Sequence, residues 1–175
     1  MKVLIIYFSF SGNNRLLAEH LATRLDCDIC PIVEKRRRTA VTIMLDMIFR
    51  REPKLQPLKY SALDYDHIIL VAPIWDAKLS TPMKALIKRE KSALSNYSFI
   101  SLCGYERAEQ KENITQELLT LSGHSPRAVC ELRLCDLFPA EKRNDVTTIS
   151  RYHATSDDLI QFESQIAAFL KLISS

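Results

Sequence analysis

Val3, Leu4, Ile5, Ile6, Tyr7 and Phe8 form a run of β-formers with no charged or amide residue between them. A strand with one wet face alternates apolar and polar positions, so this unbroken run predicts a strand covered on both faces, at the centre of a parallel sheet. It stops abruptly at Ser9-Phe10-Ser11-Gly12-Asn13-Asn14, and from Arg15 to Leu25 leucines recur at helical spacing, with Arg15, Glu19 and Arg24 facing outward. The same grammar then repeats. His67 to Ala72 and Tyr97 to Cys103 are further buried strands, and Cys27 to Val33 is a shorter one whose Pro31 suits a sheet edge or strand end. Val41, Met44, Leu45, Ile48 and Phe49 predict a helix over Thr39 to Arg51, closed by Pro53 and Pro57. Thr81-Pro82 opens another that runs to about Leu94, and a fourth spans about Lys111 to Leu121, with Gly123 at its C-terminal cap. Ala128 to Phe138 does alternate, which places it at the sheet margin. Pro139 to Thr155 has no period and is expected to be a long loop folded over a neighbour. A last helix, capped by Ser156, carries Leu159, Phe162, Ile166, Phe169, Leu170 and Ile173 inward.

Strands and helices thus alternate along the whole chain, and parallel crossovers are right-handed, so the expected fold is α/β: a three-layer α/β/α sandwich on a five-stranded parallel sheet. Ligands in such sheets bind beyond the carboxyl ends of the strands. The loops arriving there are Ser9 to Asn14, Pro73 to Ser80 and Gly104 to Gln110.

With 175 residues, 47% of them hydrophobic, the chain is expected to be one domain, residues 1–175, able to fill a core without disulfides or metal. No apolar run reaches bilayer length and Met1-Lys2 leads straight into a strand, so a cytoplasmic protein without a membrane span is expected. The five cysteines sit mostly in apolar segments and read as reduced structural thiols. Cys27 and Cys30 have C-x-x-C spacing, yet inside a strand their side chains face opposite sides, and the four histidines are scattered; no metal set is expected. A net charge of +3 does not announce nucleic acid. The dense run Glu34 to Arg38 reads as solvated charge, with a grip on an anionic cosubstrate as the alternative.

Candidate chemistry concentrates in the first loop. Ser9 and Ser11 offer hydroxyls, Asn13 and Asn14 offer amides, Gly12 is free to take positive φ, and a helix begins directly afterwards. This layout suits an anion such as phosphate, and equally a plain helix cap; the loop alone leaves both open. No acid, base or nucleophile pair is legible, so no catalytic residue is assigned.

Two segments taken together change this picture. Ser9-Phe10-Ser11-Gly12-Asn13-Asn14 is similar to the S/T-x-S/T-G-N-T phosphate loop of the flavodoxin-like family, and Ala72-Pro73-Ile74-Trp75-Asp76-Ala77-Lys78-Leu79-Ser80-Thr81-Pro82-Met83 resembles its flavin-flanking segment. Asn14 stands where that family has Thr, and Ala77 where it has Gly. The resemblance spans residues 2 to about 138. It implies the sheet order 2-1-3-4-5 and flavin mononucleotide (FMN) as cofactor. Ser9, Ser11, Asn13 and Asn14, with the backbone of Phe10 and Gly12, would surround the phosphate; Pro73, Ile74, Trp75, Asp76 and Ala77 would border the ring; Cys103, Gly104 and Tyr105 would approach from the third loop. The activity implied is an NAD(P)H-dependent oxidoreductase reducing a quinone, flavin or similar acceptor. An electron carrier docking on a redox partner and a flavin-free binding module are the alternatives, and a homodimer is left open.

Overall fold

The computed structural model describes residues 1–35, 53–105 and 107–174. The helix expected over Thr39 to Arg51 and the basic run Arg36 to Arg38 lie outside the described residues.

In chain order the described strands are β1 (Val3–Tyr7), β2 (Asp28–Pro31), β3 (His67–Val71), β4 (Ile74–Trp75), β5 (Lys78–Leu79), β6 (Tyr97–Cys103) and β7 (Val129–Arg133). The described α-helices are α1 (Asn13–Leu25), α2 (Thr81–Arg89), α3 (Gln110–Ser122), α4 (Val146–Arg151), α5 (Ser156–Gln161) and α6 (Glu163–Ser174). One parallel sheet runs β2-β1-β3-β6-β7, with Ile5 of β1 opposite Ile29 on one side and Ile69 on the other. The short strands β4 and β5 pair only with each other in an antiparallel hairpin. With that hairpin set aside, the order is the expected 2-1-3-4-5.

The uninterrupted apolar pattern of β1 feeds two cores. Val3 and Ile5 point to the face covered by α1 and α6, where Leu17, Leu21, Ile166, Phe169 and Ile173 are buried. Leu4, Ile6 and Phe8 point to the other face, against Met83, Leu86 and Ile87 of α2 and Ile114 and Leu118 of α3. Leu4, Ile5 and Ile6 are all fully buried, each contributing about 1.5–3 kcal/mol relative to exposure. This anchors the strand whose end carries the first loop.

Several boundaries differ from expectation: β2 spans Asp28–Pro31 instead of Cys27 to Val33, and α1 starts at Asn13, two residues before Arg15. Helix α2 ends at Arg89 and a separate 3₁₀ turn follows at Lys91–Ala93. Strand β7 stops at Arg133, because Leu134 and Cys135 turn into the core and the Cys135 N–H bonds the Gly104 carbonyl at 3.0 Å. The expected loop from Pro139 to Thr155 holds a 3₁₀ turn at Ala140–Lys142 and helix α4, capped where Asp145 accepts from the Thr148 N–H. The closing helix is broken at Phe162, and its cap is Thr155, in a reciprocal box with Asp158, not Ser156.

Candidate functional site

The end of β1 delivers Ser9 to Asn14 to the carboxyl edge of the sheet, beside the ends of β3 and β6. That edge, outside a doubly wound sheet, is where this architecture takes ligands. Gly12 adopts φ +99, a left-handed conformation that side chains disfavour, and open space surrounds the position where a Cβ would lie. Its N–H donates to Ser9 Oγ at 3.1 Å. A hydroxyl that accepts in this way keeps its own O–H for a ligand. No side chain caps α1 and no acid occupies its first turn, so the positive end of the helix is unneutralised at the loop.

The two asparagines behave differently from Ser9. The Asn14 side chain is buried and serves as a strand-like bracket for Leu102 of β6, donating to its carbonyl (3.1 Å) and accepting from its N–H (2.9 Å). Asn13 brackets the distant segment after α4, donating to the Tyr152 carbonyl (2.9 Å) and accepting from the Ala154 N–H (3.0 Å). Each amide thus commits its oxygen and one N–H to the chain, which leaves a second N–H on each, with the loop's backbone N–H groups and serine hydroxyls, for other partners. Phe10 and Ser11 are exposed.

The second loop is the β4–β5 hairpin. Its turn is Asp76-Ala77 with φ +52 and +54, the doubly left-handed geometry that matches strand twist in two-residue hairpins. Ala77 therefore adopts the positive φ that a glycine would take more cheaply. Pro73 and Ile74 are half-buried at its base. Trp75 is half-buried, with its ring edge-on to Phe8 (5.9 Å) and to Phe10 of the first loop (6.4 Å), so the phosphate-type loop and the hairpin share an aromatic wall.

The third loop contributes less of what was expected. Cys103 ends β6 with its thiol buried, and burial first, then Glu131, pushes that thiol far up, so it is a packing residue and not a nucleophile. Gly104 lies against Ile149 of α4, which an added Cβ would meet at 3.7 Å. Tyr105 packs on the face of the sheet opposite Trp75, its hydroxyl buried and without a partner among the described residues, and burial raises its pKa. The structure therefore does not bring Tyr105 and Trp75 together as two walls of one slot. Arg107, which the sequence did not single out, forms an ion pair with Asp76 and so ties the third loop to the hairpin across the mouth between them.

A second groove of about 590 Å³ runs beside edge strand β7, lined by Val129, Glu131, Phe169 and Leu172 among others, and borders the third loop along Arg107 to Gln110. All five cysteines are free, and no cluster of His, Cys, Asp or Glu able to hold a metal occurs among the described residues. Among those residues no helix is long and apolar enough to cross a membrane.

No protein-family model and no curated protein matches the chain. Solved structures do. A flavoprotein from Lactobacillus acidophilus in complex with FMN superposes with a TM-score of 0.62 at 22% identity, over 74% of this chain and 92% of that one. The apo-form of the Lactobacillus acidophilus flavoprotein gives 0.59 at 21% identity, over 74% and 91%. A flavodoxin from the domain Archaea gives 0.53 at 13% identity and covers the whole of both chains. The sheet order and the ligand edge define a doubly wound α/β sandwich. Within that class, the chain has the flavodoxin-like fold.

Proposed function

We propose that the protein binds FMN at the Ser9–Asn14 loop and works as a redox protein. The observation that carries this reading is the coincidence, at one sheet edge, of an uncapped helix N-terminus behind the open Gly12 turn and the Phe10–Trp75 aromatic wall. The neighbours include an FMN complex and a flavodoxin, which supports the same choice of ligand. The residues fit the group: a phosphate needs convergent donors and no lysine, while a flat ring needs an apolar wall.

In this reading the loop's N–H groups and the Ser9 and Ser11 hydroxyls hold the phosphate. Trp75 and Phe10, with Pro73, Ile74 and the Asp76-Ala77 turn, shield one side of the ring from water. Gly104 and Arg107 bound the opposite side, with Cys103 and Tyr105 buttressing that loop from within. FMN, when bound, supplies the electron-transfer chemistry, and the chain supplies orientation and access. We further assign the activity to an NAD(P)H-dependent oxidoreductase acting on a quinone, flavin or similar acceptor, a choice supported by the net charge of +3, which attracts anionic dinucleotides.

The test is titration of the purified protein with FMN, followed by Trp75 fluorescence and visible absorption, and then NAD(P)H oxidation with a quinone present. Saturable quenching with a protein-bound flavin spectrum is expected. Absence of binding would remove the cofactor reading, whereas binding without turnover on any acceptor would leave FMN and remove the oxidoreductase.

A further inference from the structure

The peptide unit between Ser11 and Gly12 is held at both ends. Its N–H donates to Ser9 Oγ, and its carbonyl oxygen lies 3.0 Å from Nδ1 of His153, a residue 142 positions downstream. A carbonyl only accepts, so Nδ1 carries the proton in this contact. The imidazole is delivered there by the chain on either side of it: Tyr152 and Ala154 are the two residues bracketed by the Asn13 side chain, so His153 is fixed between two anchored neighbours. Behind it, Tyr152 stacks edge-on against Phe138 at 5.0 Å and donates its hydroxyl to Asp158 at 2.9 Å, which ties the segment to the start of α5.

Glycine at position 12 leaves this peptide several orientations of similar energy. Only some of them keep the N–H on Ser9 Oγ, the contact that leaves the Ser9 O–H for a ligand. We infer that His153 is a positioning residue of the first loop: through the Ser11 carbonyl it locks the Ser11–Gly12 peptide in the orientation that receives a phosphate monoester, without touching the ligand itself. The inference rests on the reading of this loop as the FMN phosphate site.

The experiment compares FMN with riboflavin, which lacks the phosphate, as ligands of the full chain and of three variants. Wild type is expected to prefer FMN. His153→Ala should weaken FMN about three- to tenfold, the range of one net hydrogen bond, and leave riboflavin unchanged. An asparagine amide stands at the same distance along the side chain as Nδ1, whereas a glutamine amide corresponds to Nε2. His153→Asn should therefore restore FMN affinity and His153→Gln should not. Recovery in the glutamine variant alone would overturn positioning in favour of direct contact, and equal FMN affinity in wild type and His153→Ala would overturn the inference while sparing the phosphate reading. A wild type that binds FMN no better than riboflavin overturns the phosphate reading itself and this inference with it. Nitrogen-15 NMR of the His153 ring gives a readout independent of variant folding: the proton is expected on Nδ1, and a ring protonated on Nε2 alone would overturn the proposed contact.

Discussion

At the Ser9–Asn14 end of the site the fixed contacts are made by the interior of the molecule and by residues far away in the chain. Asn14 is buried against β6, and Asn13 grips Tyr152 and Ala154. At the hairpin end, strands of two residues each are joined by a turn with two left-handed non-glycine residues, and the link to the third loop is an exposed ion pair between Asp76 and Arg107. Exposed pairs of this kind contribute about 0–1 kcal/mol, and their strength falls with salt. The difference teaches where rigidity is built in. The Ser9–Asn14 loop is held by groups that cannot leave without exposing unsatisfied backbone. The hairpin is held by contacts weak enough to part and reform, which in the proposed reading happens around the flavin ring.

Substitutions at each end test this contrast. The largest effect is expected from Asn14→Ala, which leaves the buried N–H and carbonyl of Leu102 without partners and should lower unfolding free energy by about 2–4 kcal/mol in urea titration. A loss under about 1 kcal/mol would mean that water replaces the amide and that the first loop is not locked. Next is Gly12→Val. Space is available for the side chain, so the cost is backbone strain at φ +99, about 1–3 kcal/mol, together with reduced FMN affinity. Unchanged affinity would detach the glycine turn from ligand binding. The smallest effect, and of opposite sign, belongs to Ala77→Gly at φ +54. Relief of about 1–2 kcal/mol of left-handed strain is partly offset by the extra freedom of glycine in the unfolded chain. A net gain of about 0.5–1 kcal/mol in the melting analysis is expected. A loss of stability there would place the strain elsewhere and make the hairpin a rigid element like the loop.

Much of the frame was legible because it rests on local pattern. The unbroken apolar runs at Val3 to Phe8 and His67 to Ala72 became the central strands, and Gly123 became the left-handed cap of α3 at φ +83. Other features left no periodic trace. The strands β4 and β5 are too short to show alternation, and their turn lacks the Asn-Gly or Asp-Gly pair that marks most such hairpins. The break at Phe162 is invisible to periodicity because the apolar stripe of the last helices runs straight through it. Asn13 and Asn14 were found as loop amides and expected to face the ligand, yet their side chains bond β6 and the Tyr152–Ala154 segment. A sequence motif names the residues of a loop but not which of them hold it from behind. For the same reason His153 and Arg107 went unseen: each acts through one long-range contact that no spacing encodes.

The Asn13 bracket also sets a timetable. As the chain emerges from the ribosome, the first loop is made well before the residues that pin it, Tyr152 and Ala154, which come roughly 140 positions later. Synthesis at about 5–20 residues per second separates the two by about 7–28 seconds. During that interval the loop between β1 and α1 is without the Asn13 bracket. A nascent chain stalled before residue 152 would present the loop's sequence without its finished shape.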